Sequence, residues 1–253
     1  MRRTSGKVWL VGAGPGAPDL ITLRAAEILG RADIVFYDAL VHPETVALAA
    51  RAEKIAVGKR CGKHSTAQRF INKRLADAAR KHAIVVRLKG GDPMLFGRAQ
   101  EEIAALQAAG IAYEIVPGVT SALAASAELG VSLTQRGLSR NVVFVTPRAG
   151  AGESAHDWAA SVMAADTAVI YMGAGQAQLI TDTLIARGMA PAAPVMVVEN
   201  ASLPQQRSRS CTLRALPDAS AYLSGGPALI MLGQVYAAAQ ETAVPALPRA
   251  LAA

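Results

Sequence analysis

The chain has 253 residues, of which 52% are hydrophobic and 18% charged, so it can form one large core or two modest ones, and we predict two domains. Aromatic residues make up only 4%, which predicts interiors packed by small aliphatic side chains, as in alternating strands and helices. No run approaches the roughly 18 apolar residues of a membrane span. The apolar run after the basic start is too short for a signal peptide, so we expect a cytoplasmic protein without membrane association.

The net charge of +7 favours a polyanionic partner, which could be nucleic acid, an anionic surface or a small polyacid. Charge alone does not distinguish among these. Cys61 and Cys211 lie far apart and in no CxxC or Cys/His cluster, and the histidines lack ligand spacing. Neither a disulfide framework nor a metal site is therefore predicted.

Residues 1–137 alternate regularly between strand and helix patterns. The alternation predicts a mostly parallel sheet with loops at the strand C-termini available for a ligand. The predicted strands are 7–11, 33–37, a short one ending near 57, 83–88 and 111–116, and the predicted helices are 20–29, 43–50, 65–81, 97–109 and 119–129.

Residues 138–240 begin a second alternation whose rhythm changes near its end. Strands at 207–213 and 228–232 have no full helix between them, which predicts antiparallel pairs and a mixed second sheet. The earlier elements of this domain are strands at 141–146, 167–171 and 195–198 and helices around 158 and at 176–187. Residues 241–253 are rich in Ala and Pro and are predicted to form a flexible tail.

The first loop, Gly12–Ala17, formally fits the GxGxxG/A dinucleotide fingerprint, and Asp38 ends the second predicted strand, where a ribose would bind. Pro15, however, removes a backbone N–H from the loop that would wrap a pyrophosphate, and Pro18 delays the helix. A tight strand-to-helix turn explains the same residues, because isolated glycine fingerprints have low specificity.

Two further loops follow predicted strands. In the loop Lys89–Pro93, paired glycines let the backbone approach a ligand, and Asp92 can accept hydrogen bonds. Asp92 could equally initiate a turn and cap the next helix. Residues 117–121 contribute two hydroxyls, from Thr120 and Ser121, which could contact a ligand or cap a helix.

Basic side chains concentrate around these loops. Lys59 precedes the third predicted helix, and Arg87, Lys89 and Arg98 flank the glycine pair. Arginine suits bidentate pairing with carboxylates, so the group could clamp a polyacid substrate. Alternatively, Arg87 and Arg98 form internal ion pairs with Glu101 or Glu102.

Taken together, eight segments in chain order resemble the uroporphyrinogen-III C-methyltransferases, over nearly all of residues 7–236. The GxGPG and GGDP patterns are shared by the wider tetrapyrrole methyltransferase family, whereas VGKR with a nearby His-Ser, plus LTxRG, indicates the uroporphyrinogen branch. The segments are VGAGPGAPDLITLRA, ADIVFYDALV, VGKRCGKHS, VVRLKGGDPMLFGR, VPGVTSALA, LTQRG, VIYMG and VVEN.

The resemblance implies a two-domain α/β homodimer with an active cleft between its domains and no metal. S-adenosylmethionine would donate methyl groups to two ring carbons (C2 and C7) of uroporphyrinogen III, leaving S-adenosylhomocysteine. The tetrapyrrole product would be precorrin-2, a precursor of sirohaem and cobalamin.

The resemblance also implies roles for individual residues. Asp38 and Lys59 would handle a proton, while Arg87 and Arg98 would meet substrate carboxylates or stabilise charge on the macrocycle. The cofactor site would be lined by Pro15, Gly90, Gly91, Asp92, Leu95, Thr120, Ser121, Met172 and Ala201.

The chain departs from the family pattern at a few positions. It reads GRAQEE where GRGGEE is common, and it has Gln135 in place of a common His and Ala201 in place of a usual Gly. Gln135 could alter substrate contacts. Ala201 can keep a backbone contact if its φ is negative.

Three alternative functions stay open on sequence alone. A precorrin methyltransferase of the same fold would methylate a later corrinoid intermediate. The loop Gly12–Ala17 together with Asp38 would suit a nicotinamide-dependent dehydrogenase. A basic RNA-binding domain is favoured only by net charge and lacks aromatic platforms or a recognised motif, so no nucleic-acid partner is predicted.

Overall fold

The computed structural model describes residues 6–57, 64–150 and 156–238. Contacts divide the chain into two compact units after Ser121, which we call the first and the second unit. The sequence analysis placed this boundary at 137. The difference concerns helix α5 (Ser121–Leu129), whose buried Ala122, Ala125 and Leu129 pack in a core with the second unit's Met196 and Tyr236.

The first unit holds a five-stranded sheet of order β3-β2-β4-β1-β5, in which every pairing is parallel. Apolar side chains alternate between its faces: Val8 and Leu10 join a core under α3 and α4, while Val11 joins one under α1 and α2. The elements are β1 (Lys7–Gly12), α1 (Leu23–Arg31), β2 (Ile34–Tyr37), α2 (Pro43–Ala47), β3 (Glu53–Ala56), α3 (His64–Ala79), β4 (Ile84–Lys89), α4 (Ala99–Ala108) and β5 (Ala112–Val116).

The second unit contains a five-stranded mixed sheet of order β6-β7-β10-β8-β9. β6 pairs parallel with β7, whereas β10 runs antiparallel to both of its neighbours, β7 and β8. The elements after α5 are β6 (Val142–Val145), α6 (Trp158–Met163), β7 (Thr167–Tyr171), α7 (Ala177–Ala186), β8 (Pro194–Glu199), β9 (Arg207–Thr212), α8 (Leu216–Ala221) and β10 (Ala228–Gly233).

The predicted elements are confirmed, with ends that differ by a few residues. The main omission was the six-residue helix α8, which follows a 3-10 turn at Leu213–Ala215. It was missed because Pro217 and its short length leave too few turns for a helical periodicity to show. The predicted tail, 241–253, lies outside the described residues.

The direction of each strand determines at which edge of its sheet the following loop lies. The parallel strands β1, β4 and β5 end at one edge of the first sheet, so the three predicted glycine loops follow neighbouring strands there. In the second unit, β7 and β8 both run antiparallel to β10 and therefore end at a common edge. Met172 follows β7, and Ala201 lies just beyond β8.

Candidate active site at the strand ends

Three loops of the first unit meet through their backbones. Gly14 and Gly91 form an isolated antiparallel bridge, with Gly91 N donating to Gly14 O at 2.7 Å. A Cβ added to Gly12 would lie 2.6 Å from Gly118 Cα, closer than real side chains come, so both glycines are needed for this approach. The loops after β1, β4 and β5 therefore form one close-packed assembly, which we call the glycine platform (Gly12–Gly14, Gly90–Asp92 and Pro117–Gly118).

Asp92 connects two parts of this platform. Its Oδ1 accepts the Met94 N–H at 2.7 Å, and its Oδ2 accepts the Gly118 N–H at 2.9 Å. Gly91 has a φ of 69°, and a Cβ added to it would meet no described atom within 4 Å. The backbone at Gly91 therefore faces open space, where a ligand could contact it.

The first loop carries the glycine fingerprint but does not have the geometry of a dinucleotide site. The backbone of Gly14 is paired with that of Gly91 and is therefore not available to a pyrophosphate. A 3-10 turn at Pro18–Leu20 separates the loop from α1, which begins only at Leu23. A dinucleotide fold needs the helix to start directly at the loop so that its N–H groups face the pyrophosphate. This arrangement disfavours the dehydrogenase alternative.

Beside the platform lies a set of four charged side chains, which we call the charge cluster: Asp38, Arg87, Lys89 and Glu102. Glu102 is fully buried, and Arg87 and Lys89 are each only 4% exposed. The cluster holds two cations and two carboxylates, so its formal charge is balanced. Burying such groups is costly unless each is paired and hydrogen-bonded.

Glu102, near the start of α4, is the carboxylate that pairs with both cations of the cluster. Its Oε1 accepts from Arg87 Nε at 3.0 Å, and its Oε2 from Lys89 Nζ at 3.1 Å. Gln68 of α3 adds a weaker contact to Oε1 at 3.3 Å. One buried carboxylate thus holds both cations.

Arg87 has an internal partner for every guanidinium nitrogen. Besides Nε on Glu102, its Nη1 donates to the carbonyl oxygens of Leu88 at 3.0 Å and Phe36 at 3.4 Å. Its Nη2 lies 3.8 Å from Asp38 Oδ2. The internal ion pair that sequence left open as an alternative is therefore present.

Burial lowers the pKa of Lys89, and the neighbouring guanidinium of Arg87 lowers it further. Glu102 and Asp38 oppose this shift. A buried ammonium keeps its charge only through such partners. The charge of Lys89 therefore depends on both carboxylates.

Asp38 is the member that reaches solvent, with 24% of its side chain exposed. Its Oδ1 accepts the Leu40 N–H at 3.0 Å, and its Oδ2 accepts the Gly90 N–H at 3.4 Å. These contacts tie the carboxylate to the platform. Lys59, its predicted partner, lies outside the described residues.

Arg98 forms an ion pair at the surface end of α4. Its Nε and Nη2 donate to the two carboxylate oxygens of Glu101 at 2.6 and 2.8 Å, and about 40% of its side chain is exposed. The hydrogen bond from Arg98 lowers the pKa of Glu101. Of these neighbouring glutamates, Glu101 thus pairs with Arg98 at the surface and Glu102 pairs with Arg87 in the interior.

The other predicted cofactor residues lie in loops. In the first unit, Pro15 belongs to the loop after β1, Leu95 follows the GGDP turn, and Thr120 is half-buried just before α5. Ser121 is half-buried as the first residue of α5. Each lies in or next to a loop that follows a parallel strand.

Met172 and Ala201 belong to the second unit. Met172 is 44% exposed and has a φ of 56°. Ala201 is buried between Asn200 (φ 53°) and Ser202 (φ 70°), but its own φ is not positive. An alanine therefore fits the backbone here without strain, as the sequence analysis required.

Left-handed backbone marks the loops that hold the predicted residues. Among the described residues, all non-glycine positions with positive φ fall in three loops: the GGDP turn region, the loop after β7 and the loop after β8. Each such residue costs about 1–3 kcal/mol, and such strain concentrates at functional sites. The residues are Phe96, Arg98, Met172, Asn200 and Ser202.

The described residues contain neither a membrane-spanning helix nor a metal-binding cluster. No helix there is long and apolar enough to cross a bilayer. No group of three or more His, Cys, Asp or Glu side chains in that part of the chain could hold a metal ion.

The comparisons with known proteins agree with this architecture. The model of the tetrapyrrole (corrin/porphyrin) methylases matches residues 7–217. The chain belongs to this family. A siroheme synthase of Chromobacterium violaceum is 45% identical over 233 residues, which cover 91% of this chain and 50% of the relative. The chain thus spans about half the length of the curated relatives it matches.

Solved methylase structures share the fold. A uroporphyrin-III C-methyl transferase from Thermus thermophilus, complexed with S-adenyl homocysteine, is 40% identical with a TM-score of 0.79, covering 92% of this chain and 100% of that one. A cobalt precorrin-4 methyltransferase is 28% identical with a TM-score of 0.79, covering 90% and 95%. The predicted fold class is confirmed.

Proposed function

We propose that this methylase transfers methyl groups from S-adenosylmethionine to two ring carbons of uroporphyrinogen III, C2 and C7, to give precorrin-2 for sirohaem or cobalamin synthesis. The observation that carries the proposal is the glycine platform with its open backbone at Gly91 beside the solvent-reaching Asp38. The similar Thermus protein in complex with S-adenyl homocysteine supports the choice of methyl donor.

The residues present fit S-adenosylmethionine. Gly91 offers backbone that no described atom covers, and the carboxylate of Asp92 beside it can balance a cationic group. Pro15, Leu95, Thr120 and Ser121 of the first unit would line the site further, and Met172 and Ala201 of the second unit remain predicted cofactor residues. S-adenosylmethionine supplies a methyl group on a positively charged sulfur and leaves as S-adenosylhomocysteine.

Positioning would provide most of the rate enhancement, because a sulfonium donor needs no covalent activation. Holding two reactants in line can remove about 7–11 kcal/mol of barrier. Asp38, held by Gly90 N–H and Leu40 N–H, would accept the proton released when the substrate ring is methylated. Lys59 remains a predicted partner in this proton transfer.

The two arginines take different parts in this proposal. Arg98 lies at the surface and could exchange its bond with Glu101 for a carboxylate of the substrate. Arg87 has internal partners on every nitrogen, so it would act by holding Asp38 rather than by binding substrate. We further propose that the protein is a cytoplasmic homodimer.

The test is anaerobic incubation with uroporphyrinogen III and isotopically labelled S-adenosylmethionine, followed by mass analysis. We expect two labelled methyl groups on the tetrapyrrole. The second candidate, a methylase of a later corrinoid intermediate, is favoured by the likeness to cobalt precorrin-4 methyltransferase. A folded protein that methylates only a precorrin would establish this candidate and overturn the first.

A further inference from the structure

We propose that Glu102 is a positioning residue of the site: by holding Arg87 and Lys89 inside the first unit, it fixes the guanidinium that faces Asp38 and sets the charge around that carboxylate. The coupling is a property of the first unit alone. Its catalytic consequence rests on the proposed function.

The geometry gives Arg87 a single orientation. Glu102 binds Nε at 3.0 Å on one side, and the Leu88 carbonyl binds Nη1 at 3.0 Å. A guanidinium is planar, so binding Nε and Nη1 also fixes the direction of Nη2. The Nη2 atom points to Asp38, at 3.8 Å from Oδ2.

The charge count makes Glu102 and Asp38 interdependent. Two cations face two carboxylates, and only Asp38 reaches water. Without Glu102, the single carboxylate of Asp38 would face both Arg87 and Lys89. Charges buried this deeply are poorly screened by solvent, so a change at one site acts on the others.

Every element packed around Lys89 contributes to this field. Arg87 belongs to the same strand, β4, Glu102 and the exposed Glu101 come from α4, and Asp38 comes from the segment after β2. α3 contributes the uncharged Gln68. The Lys89 ammonium therefore reports on both carboxylates.

The first arm of the experiment needs no activity. The pKa of Lys89 is measured by NMR in lysine-labelled protein, with Lys89→Met to assign the signal. Since both carboxylates raise this pKa, Glu102→Gln and Asp38→Asn should each lower it. Asp33→Asn is the matched control, because among the described residues this carboxylate accepts the Ala83 and Ile84 N–H groups at the start of β4 and touches no member of the charge cluster.

An unchanged Lys89 titration in Asp38→Asn would overturn the inference, because the cluster would then be uncoupled from the solvent-reaching carboxylate. This holds whether or not the wild-type protein methylates uroporphyrinogen III. Absence of methyl transfer by the wild type would instead overturn the proposed function and leave the coupling to be decided by the titration.

The second arm is the pH profile of turnover. Glu102→Gln should reduce kcat by roughly ten- to a hundredfold, a part of the 10²–10⁴ that a positioned base contributes, and should move the profile along the pH axis. KM should change little, since no substrate contact is lost. Asp33→Asn should lower stability only and keep the shape of the profile.

The double variant Glu102→Gln/Lys89→Met restores one cation facing one carboxylate and keeps the test decisive if the single variant does not fold. We expect it to fold and to recover the wild-type shape of the profile. A folded double variant whose profile is displaced from that of the wild type, or a Glu102→Gln profile that coincides with the wild type, would contradict the proposal.

Discussion

The two units bury carboxylates in different ways. In the first unit, Glu102 is balanced by two cations, Arg87 and Lys89, and through them it is linked to Asp38. In the second unit, Glu199 is equally buried but accepts neutral donors, the N–H groups of Ser224 and Gly226. A buried carboxylate that is balanced by cations couples its charge to theirs, so a change at one group acts on the others. A carboxylate that accepts hydrogen bonds from backbone N–H groups instead fixes the position of the loop that carries them.

The same contrast appears in the titration of these groups. Burial alone would raise the pKa of Glu199, yet the hydrogen bonds from Ser224 and Gly226, with a smaller contribution from the charge of Arg207, bring it below its ordinary value. In the first unit, burial and Arg87 lower the pKa of Lys89. The two arrangements therefore predict stability changes of opposite pH dependence.

The largest expected effect is that of Glu102→Gln, which leaves two buried cations with one carboxylate. Breaking a buried pair in this way should cost about 3–5 kcal/mol of the free energy of unfolding at neutral pH. Urea unfolding monitored by circular dichroism measures it. A loss of less than about 1 kcal/mol in the free energy of unfolding is typical of exposed ion pairs, and it would contradict the burial of Glu102 and its two cations.

This deficit should shrink as the pH rises. The unfolded chain binds a proton at Lys89 below about pH 10.4, whereas the folded variant binds it only below a depressed pKa. Between these values the unfolded state holds more protons, so stability increases with pH. A deficit that grows toward alkaline pH would show that Lys89 does not carry the cost.

The second prediction concerns Glu199→Gln, the matched change in the second unit. Its amide cannot accept all the donors that the carboxylate accepts, and losing charged hydrogen bonds costs about 1.5–3 kcal/mol. The same urea unfolding measures it. Because the pKa of Glu199 is lowered in the fold, this contribution is complete above the unfolded pKa of about 4.3 and disappears as the pH falls further.

The difference in the free energy of unfolding between wild type and Glu199→Gln should therefore disappear at acidic pH. The corresponding difference for Glu102→Gln should shrink at alkaline pH. Similar pH dependence for both variants would remove the distinction between the two units.

Two glycine-to-alanine variants, one in the glycine platform and one outside it, test whether the platform depends on close backbone contact. The Cβ of Gly118→Ala would lie 2.8 Å from Gly12 Cα, so overpacking should cost about 1–3 kcal/mol and weaken binding of S-adenosylhomocysteine, measured by calorimetry. Gly30→Ala in α1 meets no described atom within 4 Å and should gain about 0.5–1 kcal/mol. Equal effects at the two positions would contradict the contact.

The smallest effect concerns Cys211 of β9. Burial raises the pKa of this thiol to about 11, an effect that Arg209 opposes only in part. Thiol reagents should therefore react slowly at pH 8, with a rate that rises about tenfold per pH unit up to the pKa, because only the thiolate reacts. A Cys61→Ser background isolates the reaction. A plateau reached by pH 9 would contradict this environment.

Much of the fold was predictable from the sequence because periodicity and turn residues act locally. The predicted strand 167–171 coincides with β7, and the change of rhythm after residue 207 correctly indicated antiparallel pairing. α8 was missed because a helix of six residues has too few turns to show its period.

The site residues were predicted from motifs, and the pairing of Arg87 and Arg98 with Glu101 or Glu102 was left open as an alternative. Nothing in the order Glu101, Glu102 shows which glutamate turns inward, because neighbouring positions on a helix project about 100° apart. The run of buried residues along β4 likewise places Arg87 inside without saying what it pairs with. Gln68, 34 positions from Glu102 in the chain, carried no signal at all.

The sequence by itself determined the alternating elements, the glycine loops after the strands and the resemblance that places the chain among the tetrapyrrole methylases. These depend on short-range pattern and on ordered motifs. Only the tertiary structure decided that Arg87 pairs with Glu102 in the interior and lies beside Asp38, and that Arg98 pairs with Glu101 at the surface. The reason is physical: whether a charge is free to bind depends on how it is buried and on which groups from distant strands and helices surround it.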